Sequence, residues 1–346
     1  MSTIAPNDAN ILYSPYNWLL GATAKTICSG AYLRVAFTGT PTTLTATFDV
    51  TNMASPASRV GFRVDDGPWQ DYAVAASVSL TLATGNTWGS HTVEMVVIST
   101  TETANRWAAP QNTAVVFTGL VANVVVTTRL TRPRTLYGLC VGDSITEGVR
   151  TLNANAVNDT DRNDSRKAWA YPLGALLGAE IGVVGFGATG LSGTGSGAVP
   201  KFPSSAPWLF SGTARTLTAP QLPDFIIAHV GTNDGGGVDA TVTADTTALL
   251  NGWIAATTST KIFVLNWAQI KVAAIRAGIA ATTAPQRVQF IDATGWWSPA
   301  DGDGGLHPAG YVNIGDLAPR LAGVIRPQLT LGRTYIKSAA GAAVPI

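Results

Sequence analysis

The chain has 346 residues, of which 46% are hydrophobic and only 12% are charged, and its formal net charge is +1. Charged residues make up about 25% of an average globular protein, so uncharged polar and small residues must cover much of this surface. The Lys and Arg residues are scattered, and without a basic patch we do not expect nucleic acid as a partner. No run of about 18 apolar residues occurs, so neither a membrane-spanning helix nor a membrane partner is expected.

The length of the chain favours two domains, because a domain averages roughly 150 residues. The first residues, from Met1 to Ile4, lack the basic segment and the apolar run of a secretory signal peptide, so no such signal is expected here. The sequence leaves the compartment open, with a slight preference for a protein that acts outside the cell. Cys28 and Cys140 are predicted to be two free, buried thiols.

Residues 25–128 consist of short alternating or apolar segments separated by turn residues. The predicted strands are Ala31 to Thr38, Thr43 to Val50, Arg59 to Val64, Ser77 to Ala83, His91 to Ile98, Thr113 to Phe117 and Val121 to Thr128. No helical period interrupts them, and many short strands without helices are typical of a β-sandwich or a jelly roll. Residues 1–128 are therefore predicted to form an all-β, jelly-roll-like sandwich domain.

Residues 129–135 are polar and contain a proline, which indicates a linker between domains. In residues 136–330, apolar strands alternate with helix-like segments. The predicted strands are Leu136 to Val141, Ile181 to Gly185, Phe225 to Val230, Ile262 to Trp267 and Val288 to Ile291, with helices near 169–179, 240–257, 268–281 and 308–324. This alternation predicts an α/β domain, a parallel sheet wrapped by helices around a core of its own, followed by a tail at residues 331–346.

Two inserts of the second domain, residues 151–168 and 191–222, are rich in Asn, Asp, Ser, Gly and Pro and are predicted to be loops over a site. The second insert carries Phe202, Trp208 and Phe210. These aromatic residues could form a wall for an apolar or sugar-like ligand, or they could anchor the loop to the body of the domain.

Ser144 follows the first predicted strand of the second domain, in the segment Gly142-Asp-Ser-Ile-Thr-Glu-Gly148. It is therefore predicted to lie at the carboxyl end of a parallel strand, where sites form in such sheets. A serine hydroxyl becomes a nucleophile only when a neighbouring base, normally histidine, accepts its proton. The candidates for that base are few, because the chain has only three histidines.

The three histidines differ in their sequence settings. His91 begins a predicted strand of the first domain, and His229 ends an apolar strand where a buried, hydrogen-bonded side chain is expected. His307 stands in a glycine-rich turn just before Pro308, which is well placed to start a helix. Acidic residues precede His307 in this turn, so a carboxylate could orient one imidazole nitrogen while the other faces the serine.

Acyl transfer also requires hydrogen-bond donors for the developing oxyanion. Two segments that follow predicted strands can supply them. The segment Gly231-Thr-Asn-Asp234 offers the side-chain amide of Asn233, and the segment Gly185-Phe-Gly-Ala-Thr-Gly190 offers a glycine N–H. All of these groups are expected at the same edge of the sheet.

Four blocks in this order, Gly-Asp-Ser-Ile-Thr, a glycine block, Gly-Thr-Asn-Asp and a final His-Pro, resemble those of SGNH (GDSL-type) hydrolases over residues 136 to about 325. The resemblance implies a flavodoxin-like domain in which Ser144 is the nucleophile and His307 the base. It also implies an oxyanion hole that consists of the N–H groups of Ser144 and Gly187 and the amide of Asn233. No cofactor is expected.

Two departures from the family pattern leave alternatives open. The family aspartate lies three residues before the histidine, and here that position is Gly304, so Asp303 is the predicted third member, with Asp301 or a backbone carbonyl as alternatives. An asparagine that often precedes the glycine block is missing, which leaves Gly187 or Gly190 as the donor, and we prefer Gly187. Asp143 and Trp208 are predicted to contact the substrate.

A strand-rich domain ahead of an SGNH domain is similar to the architecture of two-domain carbohydrate acetylesterases. We therefore predict a serine esterase that removes short acyl groups, above all acetyl, from a small-molecule or glycan ester. The alternatives are an arylesterase or lipase that acts on non-sugar esters, and a carbohydrate-binding or virion surface module with a vestigial hydrolase fold. A divalent cation held by Asp301, Asp303 and His307 is disfavoured because the other ligands of a calcium loop are missing. The oligomeric state is left open.

Overall fold

Antiparallel sheets form the first part of the chain, and a parallel sheet covered by helices forms the second. The structure is a computed structural model and describes residues 2–39, 43–80, 89–122, 125–128, 130, 134–152, 155–218, 221–303, 305–330, 335–337 and 343–345. The strands of the first part are β1 (Ser2–Ile4), β2 (Leu12–Tyr13), β3 (Leu19–Leu20), β4 (Ala24–Thr26), β5 (Tyr32–Gly39), β6 (Leu44–Phe48), β7 (Arg59–Val64), β8 (Gln70–Ala73), β9 (Ser77–Leu80), β10 (Gly89–Ser99), β11 (Val115–Ala122) and β12 (Val125–Thr128).

These strands pair in two antiparallel sheets. The first sheet has the order β3-β4-β11-β6-β9, with β1 also on β11, and the second has the order β12-β5-β10-β7-β8, with β2 also on β5. Leu44, Ala46 and Phe48 of β6 lie in one buried cluster with Val93 and Met95 of β10, as expected when alternate side chains point to one face of a strand. The two sheets therefore pack face to face. The predicted all-β first part is confirmed, and its jelly-roll topology stays a prediction.

One predicted strand break is wrong. The pattern predicts separate strands at 113–117 and 121–128, but β11 continues through Gly119. The register shifts between Phe117 and Gly119, which marks a β-bulge. Gly119 has φ 147°, and a Cβ there would lie 2.9 Å from the carbonyl oxygen of Ile4. In the sequence alone, a glycine at a bulge resembles a glycine at a turn.

The second part is built on a five-stranded parallel sheet. Its strands, together with two short hairpins, are β13 (Leu136–Gly142), β14 (Ala179–Gly185), β15 (Trp208–Phe210), β16 (Thr213–Ala214), β17 (Phe225–His229), β18 (Lys261–Asn266), β19 (Val288–Asp292), β20 (Tyr335–Lys337) and β21 (Ala343–Pro345). The parallel strands follow the order β14-β13-β17-β18-β19. This is the flavodoxin-like order, so the α/β prediction is confirmed.

Helices cover both faces of the parallel sheet. They are α1 (Ser144–Glu147), α2 (Asp159–Arg162), α3 (Ala170–Leu177), α4 (Phe202–Ser205), α5 (Asp239–Ala256), α6 (Val272–Ala280), α7 (Gly310–Val312) and α8 (Ala318–Thr330), with a π-helical turn at Asn313–Leu317. No helix within the described ranges is long and apolar enough to cross a membrane.

The expectation that each part has a core of its own is wrong for the sandwich, whose core is shared with the α/β part. One apolar cluster contains Phe37 and Met95 of the sandwich together with Val141, Val184 and Ile226 of the parallel sheet. The opposite face of that sheet packs in a second cluster with α3 and α8. The sandwich core thus continues into one face of the α/β part. The predicted linker at 129–135 and the tail at 331–346 lie partly outside the described residues, and the domain boundaries stay predictions.

Polar contacts also join the two parts. The Tyr32 hydroxyl donates to Glu180 Oε2 at 2.5 Å, and Arg34 pairs with the same carboxylate. Arg166 of the second part forms a bidentate ion pair with Asp71 of the first part, in which both N···O distances are 2.8 Å. Planar pairs of this kind fix orientation as well as distance.

Both cysteines are free and buried, as predicted. Burial raises the pKa of the Cys28 thiol to about 11. Burial also holds the pKa of the Cys140 thiol well above its usual range. Because the thiolate is the reactive form, neither residue is a nucleophile at neutral pH.

The two inserts contain short elements as well as loops. Residues 151–168 include α2 and a helical turn at Ser165–Lys167, and residues 191–222 include α4 and the β15–β16 hairpin. Phe202 and Phe210 are buried in the apolar cluster that both parts share, so these two residues anchor the insert to the body of the protein. Trp208 is 38% exposed.

Candidate active site

Ser144 is the first residue of α1, at the point where β13 leaves the sheet. Asp143 caps this helix, because its Oδ1 accepts a hydrogen bond from the Ile145 N–H at 2.9 Å. The helix ends after one turn at Gly148, which has φ 93° and donates its N–H to the Ser144 carbonyl. A Cβ on Gly142 would lie 2.1 Å from Thr146 Oγ1, so glycine allows α1 to fold back onto the strand end.

The structure brings Ser144, His307 and Asp303 into one hydrogen-bonded row. His307 Nε2 lies 3.0 Å from Ser144 Oγ, and His307 Nδ1 lies 3.0 Å from Asp303 Oδ2. The loop that carries the histidine is closed by a bridge between Gly302 and Pro308, in which the Asp303 N–H donates to the His307 carbonyl at 3.1 Å. Gly304, at the family position of the aspartate, lies outside the described residues.

Asp301 has a different hydrogen-bond partner from Asp303. Its Oδ2 accepts hydrogen bonds from the N–H and the hydroxyl of Ser298, both at 3.0 Å, and these bonds close the turn before the histidine loop. Of the carboxylates considered in the sequence, Asp303 is therefore the one that contacts the imidazole. In the described part of the chain, no three His, Cys, Asp or Glu side chains are grouped as metal ligands.

Arg150 forms a further contact with Asp303 that the sequence pattern does not reveal. Its Nη1 lies 2.9 Å from Asp303 Oδ2, and the Asp303 side chain is only 3% exposed. Burial raises the pKa of Asp303, but hydrogen bonds from Arg150, His307 and the Gly305 N–H outweigh it and hold that pKa well below its usual range. The carboxylate is therefore ionised throughout the neutral pH range.

The glycine donors predicted for the oxyanion hole are both occupied. The Gly187 N–H donates to Glu147 Oε2 at 2.7 Å, and the Gly190 N–H donates to the Gly193 carbonyl at 3.0 Å. The structure thus does not support Gly187 as a free donor, because a buried carboxylate already accepts its N–H.

Asn233 lies beside the loop that holds these glycines. Its Nδ2 donates one hydrogen bond to the Thr189 carbonyl at 3.1 Å, and an amide nitrogen carries a second hydrogen for another acceptor. The neighbouring Asp234 is buried and accepts the N–H groups of Leu191 and Ser192 at 3.0 and 2.9 Å. These bonds fix the loop after residue 189 against the end of β17.

Glu147 is held by an arginine from the first part of the chain. Arg106 Nη1 lies 2.9 Å from Glu147 Oε1, and the two side chains are 0% and 1% exposed. The Arg106 N–H also donates to the Gly197 carbonyl at 3.0 Å. Sequence reasoning missed this pair, because nothing in the local pattern of the loop around Arg106 indicates a partner in the other part.

The structure does not support the predicted substrate contact of Asp143. Its side chain is fully buried. There it caps α1, and its Oδ1 lies 3.3 Å from His229 Nδ1. Burial raises the pKa of Asp143, but His229 and the Ile145 N–H together lower it below its ordinary value. His229 is buried, as expected, and His91 contacts Asp65 at 2.7 Å in the sandwich. The substrate contact of Trp208 stays a prediction.

Comparisons with known proteins identify the fold. No family model matches the sequence, and no curated relative matches it. The structure is similar to an acetyl xylan esterase from the rumen bacterium Butyrivibrio proteoclasticus, with a TM-score of 0.77 and 13% identity over 96% of this chain and 99% of the other. It is also similar to a family two carbohydrate esterase from Cellvibrio japonicus, with a TM-score of 0.74 and 20% identity over 94% and 98%.

A third similar structure is a family two carbohydrate esterase from Clostridium thermocellum in complex with cellohexaose. Its TM-score is 0.73, with 17% identity over 92% of this chain and 99% of the other. The described chain thus has the two-part fold of these carbohydrate esterases over nearly its whole length. The predicted architecture, a flavodoxin-like α/β part preceded by a β-rich part, is confirmed.

Proposed function

We propose that this protein is a serine esterase that removes short acyl groups, above all acetyl, from a carbohydrate. The row Ser144–His307–Asp303 carries the proposal, because it supplies a nucleophile, a base and an orienting carboxylate within hydrogen-bond distance of one another. The three similar structures support the substrate class, since all are carbohydrate esterases and one holds a cello-oligosaccharide.

In this mechanism Ser144 Oγ attacks the ester carbonyl carbon while His307 Nε2 accepts the hydroxyl proton. Asp303 accepts the Nδ1–H of His307, which keeps Nε2 free to act as the base. The tetrahedral intermediate collapses when the imidazolium returns the proton to the departing sugar oxygen. Water then attacks the acyl-serine by the same route, and the free acid leaves.

The oxyanion would be stabilised by two donors of this site. The Ser144 N–H lies in the first turn of α1 and has no acceptor among the described residues, and Asn233 has a second amide hydrogen available. The Gly187 N–H could act as a third donor only after leaving Glu147. Loss of one such donor typically costs about 10² to 10³ in kcat.

The test combines the Ser144→Ala variant with a panel of substrates. We expect Ser144→Ala to abolish hydrolysis of a short-chain aryl ester and acetate release from acetylated xylan, whereas Ser204→Ala, an exposed serine on α4, retains both. A fluorophosphonate probe should label wild type at Ser144. Activity confined to long-chain esters would instead indicate a lipase, and a folded protein without labelling at Ser144 would indicate a binding module.

A further inference from the structure

We propose that Arg150 is a positioning residue for the catalytic row and that the sandwich holds it in place through Asn163 and Glu102. The inference rests on the proposed function and extends it, because it assigns the first part of the chain a role in the chemistry of the second. The contacts form an unbroken sequence from the sandwich to the nucleophile.

The first step is the way in which Asp303 is shared. Its Oδ2 accepts hydrogen bonds both from His307 Nδ1 at 3.0 Å and from Arg150 Nη1 at 2.9 Å, while its Oδ1 accepts the N–H groups of Gly305 and His307 at 3.0 and 3.2 Å. Among the described residues, all hydrogen bonds to this buried carboxylate come from its own loop except the one from Arg150. Arg150 is therefore the residue that ties the Asp303 carboxylate itself to the segment that follows the nucleophile, beside the backbone bond from the Gly310 N–H to the Thr151 carbonyl.

The second step is the backbone of Arg150. It lies in the left-handed region with φ 58°, which is unfavourable for a residue with a Cβ and persists only where its surroundings impose it. Here the Arg150 N–H donates to Asn163 Oδ1 at 2.8 Å. Asn163 is buried, so this bond fixes the direction in which the arginine side chain leaves the backbone.

The third step leads into the sandwich. Asn163 Nδ2 donates to Glu102 Oε1 at 2.7 Å, and the Glu102 N–H donates to Asp159 Oδ2 at 2.7 Å. The hydroxyl of Ser99, at the end of β10, donates to the Thr160 carbonyl at 3.0 Å. The end of β10 and the segment that follows it, in the first part of the chain, thus form hydrogen bonds with α2 and with its C-cap residue, Asn163.

The charge of Arg150 gives the contact a chemical consequence. A cation that shares Asp303 opposes protonation of His307, because the carboxylate is partly neutralised and the imidazolium would face a like charge. Other charged residues near this loop include Asp301 and Lys167. Asp301 binds Ser298, and the Lys167 stem lies along Gly310. Removing the positive charge of Arg150 therefore stabilises the imidazolium form of His307.

The variants Arg150→Gln and Arg150→Lys separate charge from structure, with Arg320→Gln as a control, because Arg320 forms an exposed ion pair with Asp316. We expect Arg150→Gln to lower kcat about 10- to 100-fold with little change in KM, as displaced catalytic groups do. The acid limb of kcat/KM should move to higher pH. Arg150→Lys should have a lower kcat than wild type, but its kcat/KM should fall at the same acid pH as that of wild type. Arg320→Gln should match wild type in both properties.

A second readout does not depend on activity. The chain has only three histidines, so NMR titration with a His307→Gln reference identifies the His307 signal and gives its pKa. We expect a higher pKa in Arg150→Gln than in wild type. An unchanged pKa together with unchanged kcat would overturn the inference, and a higher KM at constant kcat would show that Arg150 binds substrate instead.

The role of the sandwich is tested with Glu102→Ala, Arg150→Gln and the double variant. If Glu102 acts through Arg150, the single variant Glu102→Ala should lower kcat. The double variant should then have nearly the same kcat as Arg150→Gln, because the effects of coupled residues are non-additive. Full additivity would overturn this part of the inference. If the wild-type protein is inactive and the fluorophosphonate probe does not label it, the proposed function is refuted. If the wild-type protein is active and Arg150→Gln leaves its kinetics unchanged, only the role of Arg150 is refuted.

Discussion

Asp303 contacts His307 across a spacing of four residues, one more than the SGNH resemblance implies. The longer spacing is accommodated by the bridge between Gly302 and Pro308, which turns the loop back on itself. Two carboxylates precede the histidine, and only folding decides between them, because Ser298 binds Asp301 and leaves Asp303 to the imidazole.

Asp303→Asn tests the orienting carboxylate. Asparagine can present an amide N–H to His307 Nδ1 and so favour the wrong tautomer, and we expect kcat to fall about 10² to 10⁴-fold. Steady-state kinetics on a short aryl ester would measure the loss. Asp301→Asn, which changes the neighbouring carboxylate, should keep most of the activity, and equal losses in both variants would contradict the assignment.

The pH profile gives an independent check at the same residue. The pKa of Asp303 is held well below its ordinary value, so this carboxylate stays ionised as the pH falls below neutrality. In Asp303→Asn the imidazolium loses its anionic neighbour, so the acid limb should move to lower pH. This direction is opposite to the one expected for Arg150→Gln.

The sequence predicts the residues whose chemistry is local and misses those whose partners are distant. Ser144 and Asn233 stand in short motifs at strand ends, and the structure places them there. Arg150 and Arg106 have no such signal. Their contacts form between segments that are far apart in the sequence, and a pattern of single residues cannot encode that proximity.

At the scale of elements, α1 depends on the glycine that ends it. Gly148 has φ 93°, and a Cβ there would lie 2.8 Å from the Asp164 carbonyl oxygen. Gly178, which ends α3, has φ 65° but nothing within 4 Å of the same position. The two glycines therefore share the backbone requirement and differ in the available space.

This difference gives a matched prediction for unfolding. Gly178→Ala should lower the free energy of unfolding by about 1 to 2 kcal/mol, the cost of a left-handed alanine. Gly148→Ala should lower it by about 2 to 5 kcal/mol, since overlap with the neighbouring backbone adds about 1 to 3 kcal/mol to that cost. Urea unfolding of both variants would measure the gap, and equal losses would show that the overlap is relieved by a small shift.

Strands and helices of the α/β part follow the sequence closely, because apolar strands that alternate with longer segments carry a strong pattern. The predicted strand at 225–230 is observed as Phe225–His229, and the predicted helix at 240–257 is observed as Asp239–Ala256. The short strands β1 to β4 were not predicted, since two or three residues cannot show a period.

At the scale of the whole molecule, Arg106 and Glu147 form a buried ion pair between the two parts of the chain. We expect Arg106→Met to lower the free energy of unfolding by about 3 to 5 kcal/mol, because it leaves a buried carboxylate without its counter-charge. Calorimetry or urea unfolding would measure this change.

The second variant isolates the cause. Adding Glu147→Gln to Arg106→Met removes the stranded charge while keeping an acceptor for the Gly187 N–H, so it should restore part of the lost stability. If the double variant is no more stable than Arg106→Met, the loss comes from the packing of the arginine stem and not from the charge.

The continuous apolar cluster that joins the sandwich to the parallel sheet also restricts how the protein can move. Hinge motion is the default between domains that meet through a small polar interface, but a large apolar interface suppresses it. Opening the two parts would expose core side chains to water. Substrate must therefore enter a site that is already assembled, and any gating of its access belongs to the surface loops rather than to a movement of one part against the other.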